Sequence, residues 1–142
     1  MIDYVVDASV TAQYIVPDQL TAYADALFAQ LGDTLKLHIP EFGLLECANV
    51  IWKQVRYGNL TTNEAETLVV DLAALPLIIV SSSALLKRSL QIGLSNQLAV
   101  YDSAYIALAE MLGCPLITAD SKQGTAAKSV GVQLKPLTDF AP

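Results

Sequence analysis

The sequence predicts an α/β fold, a three-layer α/β/α sandwich with a central parallel sheet. Three observations carry that expectation. Short apolar runs recur at residues 2–6, 35–39, 77–80 and 115–118, between stretches of helical periodicity. Helices between successive runs make the strands parallel and their crossovers right-handed. The hydrophobic fraction is 54% against only 15% charged residues, as a sheet buried on both faces requires, with room for a further apolar surface covered by a partner.

The elements follow in order. Residues 2–6 form a first strand, and a short helix runs from Ala8 to about Val16. Pro17-Asp18 closes that helix and opens another, with Asp18 as its expected N-cap, and Leu20, Tyr23, Ala24, Leu27, Phe28 and Leu31 keep helical spacing. Gly32-Asp33 ends it before the strand 35–39. Pro40 opens a helix to about Tyr57 whose apolar face is Leu44, Leu45, Ala48, Ile51, Trp52 and Val55. Thr62 is the expected cap of a helix that places acids in its first turn, where the helix dipole favours them, and Pro76 stops it. After the strand 77–80 come a helix from Ala84 to near Gly93, a polar loop Ser95-Asn96-Gln97, and a helix Ser103–Leu112 ended by Gly113. The strand 115–118 leads to Asp120, a short helix from about Lys122 to Ser129, and an expected edge strand, Val132 to Lys135. No repeat or linker divides the chain, so residues 1–142 are expected to form one domain.

Composition excludes several classes. The longest apolar run, Leu68 to Val80, is broken by Asp71 and Pro76 and is too short for a bilayer, which takes about 20 residues. Asp3 and Asp7 stand where a signal peptide would carry basic residues. Cys47 and Cys114 lack paired spacing and read as small hydrophobes in a reducing compartment, so a cytoplasmic protein is expected. A net charge of −6 argues against a general nucleic-acid binder, which works by neutralising phosphates, yet not against an enzyme that gathers acids around a cation. His38 is the single histidine and reads as structural, so serine-hydrolase chemistry with a histidine base is not expected. The phosphate-binding loops GxxxxGK[ST] and GxGxxG are absent.

Four of the fourteen acids stand out. Asp7 and Asp120 end strands and precede helices, Asp102 starts a helix of almost uncharged residues, and Glu46 lies among Leu44, Leu45, Cys47 and Ala48. Singly, the three aspartates read as helix caps and Glu46 as part of a solvated stripe with Gly43, Asn49, Lys53 and Arg56. Jointly they read otherwise. If the Asp7 and Asp120 strands are neighbours, their carboxylates share one sheet edge, where ligands of open parallel sheets gather. Topology alone leaves open whether Asp102 joins them. Clustered carboxylates repel unless a cation intervenes, and an all-oxygen set suits Mg²⁺, with Mn²⁺ as a substitute.

The chain resembles the PIN-domain ribonucleases, especially the VapC-type toxins of toxin–antitoxin pairs. The resemblance rests on Val5-Val6-Asp7-Ala8-Ser9-Val10, on Pro40-Glu41 through Glu46-Cys47-Ala48-Asn49-Val50-Ile51-Trp52, on Tyr101-Asp102 through Ala109, and on Leu116-Ile117-Thr118-Ala119-Asp120. It implies a metal-dependent endoribonuclease with the acidic quartet Asp7, Glu46, Asp102 and Asp120, all at one sheet edge. Asp7 and Asp102 are then the firmest metal ligands, Asp120 and Glu46 completing the site directly or through water. Ser9 and Thr118 match polar positions that order such a site. The resemblance also implies an RNA substrate cut to 5′-phosphate and 3′-hydroxyl ends, a homodimer, and an inhibitory antitoxin partner. Lys53, Arg56, Lys122 and Lys128 are candidate phosphate contacts or plain surface cations. One departure is local: related chains often carry an apolar residue three places after the last acid, and here Ser121-Lys122-Gln123-Gly124 follows Asp120.

Two other functions compete. A catalytically silent PIN-fold module would bind RNA or protein without cutting, against which the retained acids weigh. A phosphoacceptor of the response-regulator kind needs an acid on a middle strand and a lysine ending a later one. Here those strands lead to Ser81 and Asp120.

Overall fold

The computed structural model describes residues 1–141. Its strands are β1 (Ile2–Val6), β2 (Leu35–Pro40), β3 (Ile78–Val80) and β4 (Leu116–Ile117). Its helices are α1 (Ala8–Ile15), α2 (Thr21–Ala29), α3 (Phe42–Tyr57), α4 (Thr62–Ala74), α5 (Leu86–Asn96), α6 (Val100–Leu112) and α7 (Ser121–Ser129), with 3₁₀ turns at Ser82–Leu85 and Leu137–Asp139. The four strands pair in parallel in the order β3-β2-β1-β4. The chain therefore steps outward from β1 to β3, then crosses back to lay β4 on the other side of β1. That reversal makes the β1/β4 boundary the switch point of the sheet, where a crevice opens beyond the strand ends.

Alternation along the strands sends apolar side chains to both faces. Val5, Ile39 and Leu116 join Cys47, Ile51, Ile92, Ile106 and Leu108 in one core cluster, whereas Tyr4, Val6, Leu37 and Ile117 join Leu27, Phe28, Leu137 and Phe140 in the other. Ser103 through Ala109 of α6 are all buried, which is why that stretch is almost uncharged: a helix surrounded by protein is apolar all round.

Several boundaries differ from expectation for local reasons. Asp18 does not cap α2; the cap position is Leu20, and the Asp18 amide donates instead to the Thr21 hydroxyl. Thr61, not Thr62, caps α4 through a capping box with Glu64, because that register satisfies two orphan N–H groups at once. Pro40 ends β2 rather than opening α3. Gly93 lies inside α5, where an added Cβ would stand 2.7 Å from the Leu98 carbonyl oxygen; the stop is Gln97, in left-handed conformation at φ 52°. With that loop shortened, α6 begins at Val100, three residues early, so Asp102 sits in its first turn and Ala99 takes the cap position. The edge strand expected from Val132 to Lys135 reduces to a single bridge between Leu116 and Leu134. Leu45 and Trp52, read as parts of an apolar face, are exposed.

Candidate active site

A cavity of about 750 Å³ opens at the switch point, lined by Asp7, Glu46, Asp102 and Asp120 together with Ser9, Asn49, Lys53, Tyr101 and Tyr105. All four acids reach it for one topological reason. A crossover helix runs antiparallel to the strands it connects, so the first turns of α1, α3, α6 and α7 all lie at the carboxyl edge of the sheet. Asp7 precedes α1, Glu46 lies near the start of α3, Asp102 in the first turn of α6, and Asp120 precedes α7. The start of α6 thus closes the gap that strand order alone left open.

Asp7 is the most enclosed of them, 5% exposed. It caps α1 by accepting from the Val10 amide at 3.3 Å, and it accepts from the Ser9 hydroxyl at 2.6 Å and the Thr118 hydroxyl at 2.8 Å. Each hydroxyl is itself held: Ser9 Oγ accepts from the Ala119 amide at 3.1 Å and Thr118 Oγ1 from the Asp120 amide at 3.0 Å. The two hydroxyls therefore bind the end of β1 to the loop after β4, and their donation fixes both carboxylate oxygens. Asp120 caps α7, its Oδ1 accepting from the Lys122 and Gln123 amides. Asp102 and Asp120 are further tied through Gln123, which is buried and donates its side-chain amide to the Asp102 carbonyl at 2.9 Å. The polar residue that departs from the related pattern is therefore part of the site's frame. Glu46 accepts from the Tyr105 hydroxyl at 2.7 Å.

The electrostatics are those of crowded, enclosed carboxylates. Burial pushes Asp7 up to about 6 against the donated hydrogen bonds, with Asp120 adding to the rise. Asp102 is raised by burial and by Asp120 and drawn back by Lys122. Glu46 is raised by burial and by Asp102, and the Tyr105 hydrogen bond lowers it. Among the described residues, the side-chain ion pairs are His38–Asp3, Arg88–Glu110 and Lys135–Asp139, none of which touches these four acids. A set of hard oxygen donors gathered on one cavity and joined to no cation by an ion pair fits a divalent cation such as Mg²⁺. Among the described residues no three acidic, histidine or cysteine groups already stand at chelating separation.

The expected basic contacts divide. Lys53 lines the cavity, one turn from Asn49, and Lys122 lies near enough to Asp102 to affect its ionisation. Arg56 stacks on the Tyr57 ring at 5.3 Å near the end of α3, and Lys128 occupies the last turn of α7, at the far end of that helix from Asp120. Neither Tyr105 nor Gln123 is among the site residues expected from the sequence, although Gln123 is the polar residue at which the chain departs from the related pattern. The i+3 step from Asp102 to Tyr105 and an uncharged polar residue at an apolar position were their only signals.

A four-stranded parallel sheet with an acid-lined crevice at its switch point defines an α/β protein with carboxylates clustered beyond its strand ends. The family is the PIN domain: residues 4–129 match its model, and the chain belongs to it. The chain is 35% identical over 118 residues to Ribonuclease VapC3 of Pyrobaculum aerophilum, covering 82% of this chain and 88% of that protein. Among solved structures, PAE2754 from Pyrobaculum aerophilum has a TM-score of 0.76 at 20% identity, with 98% of this chain and 92% of that one covered. VapBC2 from Rickettsia felis, bound to a DNA fragment from its promoter, has a TM-score of 0.68 at 13% identity, with 95% and 98% covered. These likenesses confirm the α/β/α fold.

Proposed function

We propose that this chain is a divalent-metal-dependent endoribonuclease and the toxin of a toxin–antitoxin pair. The observation that carries the reading is the gathering of four carboxylates on one cavity, none of them in an ion pair among the described residues. The named activity of the 35%-identical relative supplies the substrate class. Asp7 and Asp102 would hold Mg²⁺, or Mn²⁺ in its place, with Asp120 and Glu46 completing the set directly or through water. The bound ion supplies a water of lowered pKa and charge to offset that of the scissile phosphate. Asp120 or Glu46 orients the attacking water and takes its proton. Ser9 and Thr118 keep both Asp7 oxygens in place, and Lys53 and Lys122 hold RNA phosphates at the cavity wall. The products carry 5′-phosphate and 3′-hydroxyl ends.

Exposed apolar residues support the partners proposed with this function. Leu86, Leu90 and Leu94 form a stripe at i+4 spacing on α5, suited to a homodimer, while Leu45 and Trp52 on α3 and Val70 on α4 offer apolar surface to an antitoxin. No helix is long and apolar enough among the described residues to cross a membrane, and the two unpaired cysteines suit the cytoplasm. The decisive experiment is cleavage of an RNA oligonucleotide in Mg²⁺. Chelation and Asp7→Asn should each abolish product while circular dichroism stays unchanged. Undiminished cutting by both would overturn the metal-dependent reading, and metal-independent binding without product would favour the silent module.

A further inference from the structure

We infer that Tyr105 is a positioning residue for Glu46, its buried hydroxyl latching one carboxylate oxygen so that the other faces the site; this rests on the nuclease reading above. Tyr105 is 1% exposed and projects from α6 one turn after Asp102. Its hydroxyl donates to Glu46 Oε1 at 2.7 Å, across 59 residues of sequence and between two helices. The ring is fixed separately, edge-on to Phe42 with centroids 5.5 Å apart. The facing helix is cut to fit. Gly43 lies one turn before Glu46, and a Cβ there would stand 2.7 Å from the Tyr105 hydroxyl and 2.6 Å from Ile39 Cγ1.

A glutamate on a helix face has three side-chain torsions and by default extends into water. Here a donor that cannot move, because its ring is packed, captures Oε1 and removes most of that freedom. A hydrogen bond to a charged acceptor is roughly twice as strong as a neutral one, enough to hold the rotamer. Asp102 and Tyr105 stand on one face of α6, so the same helix that presents one acid to the cavity also orients another that belongs to α3.

The test is Tyr105→Phe, which keeps the ring and deletes only the donor. Steady-state cleavage of an RNA oligonucleotide in Mg²⁺ should show kcat down about tenfold or more with KM within about twofold. Calorimetric titration of the protein with Mn²⁺ alone should show severalfold weaker binding. In a Glu46→Gln background, Tyr105→Phe should cost nothing further, since the two act as a unit. Glu46→Asp, one methylene short of the hydroxyl, reaches the same loss from the other side and needs no change at Tyr105. Wild-type kcat and Mn²⁺ affinity in Tyr105→Phe, full kcat in Glu46→Asp, or equal fold losses in both backgrounds would each overturn the latch. If the wild-type chain itself cuts no RNA, the nuclease reading fails, and the Mn²⁺ titration still decides the latch.

Discussion

Asp7 performs two tasks with one carboxylate: it caps α1 and it forms the floor of the cavity. The cost of the second is visible in its ionisation. An ordinary aspartate near 3.8 is pushed up to about 6 here, mainly by burial. Because the folded value lies above the unfolded one, the contribution of Asp7 to the stability of the metal-free protein is greatest below about pH 4. That contribution is lost as the pH rises through the interval to about 6 and changes little above it. That interval corresponds to roughly 3 kcal/mol. Asp7→Asn should therefore raise metal-free stability by about 1–3 kcal/mol at pH 8, the relief of the buried charge less the cost of the altered hydrogen bonds, and should lower it by that cost, about 1 kcal/mol, at pH 4. Denaturant unfolding at the two pH values checks this, and equal shifts at both would assign the effect to something other than charge. At this scale the sequence was informative for acids and poor for their supports. Asp7 follows from its place at a strand end, and Ser9 and Thr118 only from the family resemblance, whereas Tyr105 hides within a run of core residues and meets Glu46 only when α3 faces it.

Helices whose first turns meet at one edge are the device that gathers the acids, and their existence was readable from periodicity and punctuation. Their first residues were not. The reason is that capping is a competition among neighbouring candidates: Thr61 prevails over Thr62 because only it reaches Glu64 reciprocally, and Gly93 marks a close approach to Leu98 rather than an end. The placement of Asp102 at the sheet edge likewise needed the true start of α6. Between α6 and α7 the tie is Gln123, whose carbonyl oxygen is buried without a hydrogen-bond partner among the described residues. An apolar side chain of similar size removes that orphan acceptor along with the bond to Asp102. Gln123→Leu should accordingly hold stability within about 1 kcal/mol, whereas Gln123→Ala should lose about 2 kcal/mol to the cavity it leaves. Chemical denaturation separates the two, and a Leu variant as damaged as the Ala variant would mean that the tie to Asp102 dominates.

Across the whole molecule, exposed leucines on α5 are the feature a lone chain explains least. Leu86, Leu90 and Leu94 lie on one side of the helix, while its buried side packs Ser89, Ile92 and Gly93 inward. If the chain pairs through this stripe, Leu90→Arg should convert a dimer into a species of 15.2 kDa in light scattering, with the circular dichroism unchanged. A wild-type chain already monomeric at micromolar concentration would exclude the stripe as a stable self-association surface. Layer architecture and the apolar excess could be anticipated, because burial on two faces leaves a strong compositional mark, whereas the adjacency of the Asp7 and Asp120 strands was only a condition until the sheet order supplied it. Which leucines stay outside could not be anticipated, since a helix that covers a sheet and one that covers a partner carry the same periodicity.

The hydroxyl relay between Asp7 and the segment at Thr118–Asp120 also has a consequence in time. The cavity draws its walls from residue 7 and from residue 120, so a growing chain holds Asp7 through about 110 further residues of synthesis before Asp120 emerges. At roughly 5–20 residues per second, that interval is on the order of 5–20 seconds on the ribosome. A half-made copy carries Asp7 without Thr118 to fix it, and so no assembled acidic cavity. Long sequence separation within the site delays assembly of the cavity until residue 120 has been made.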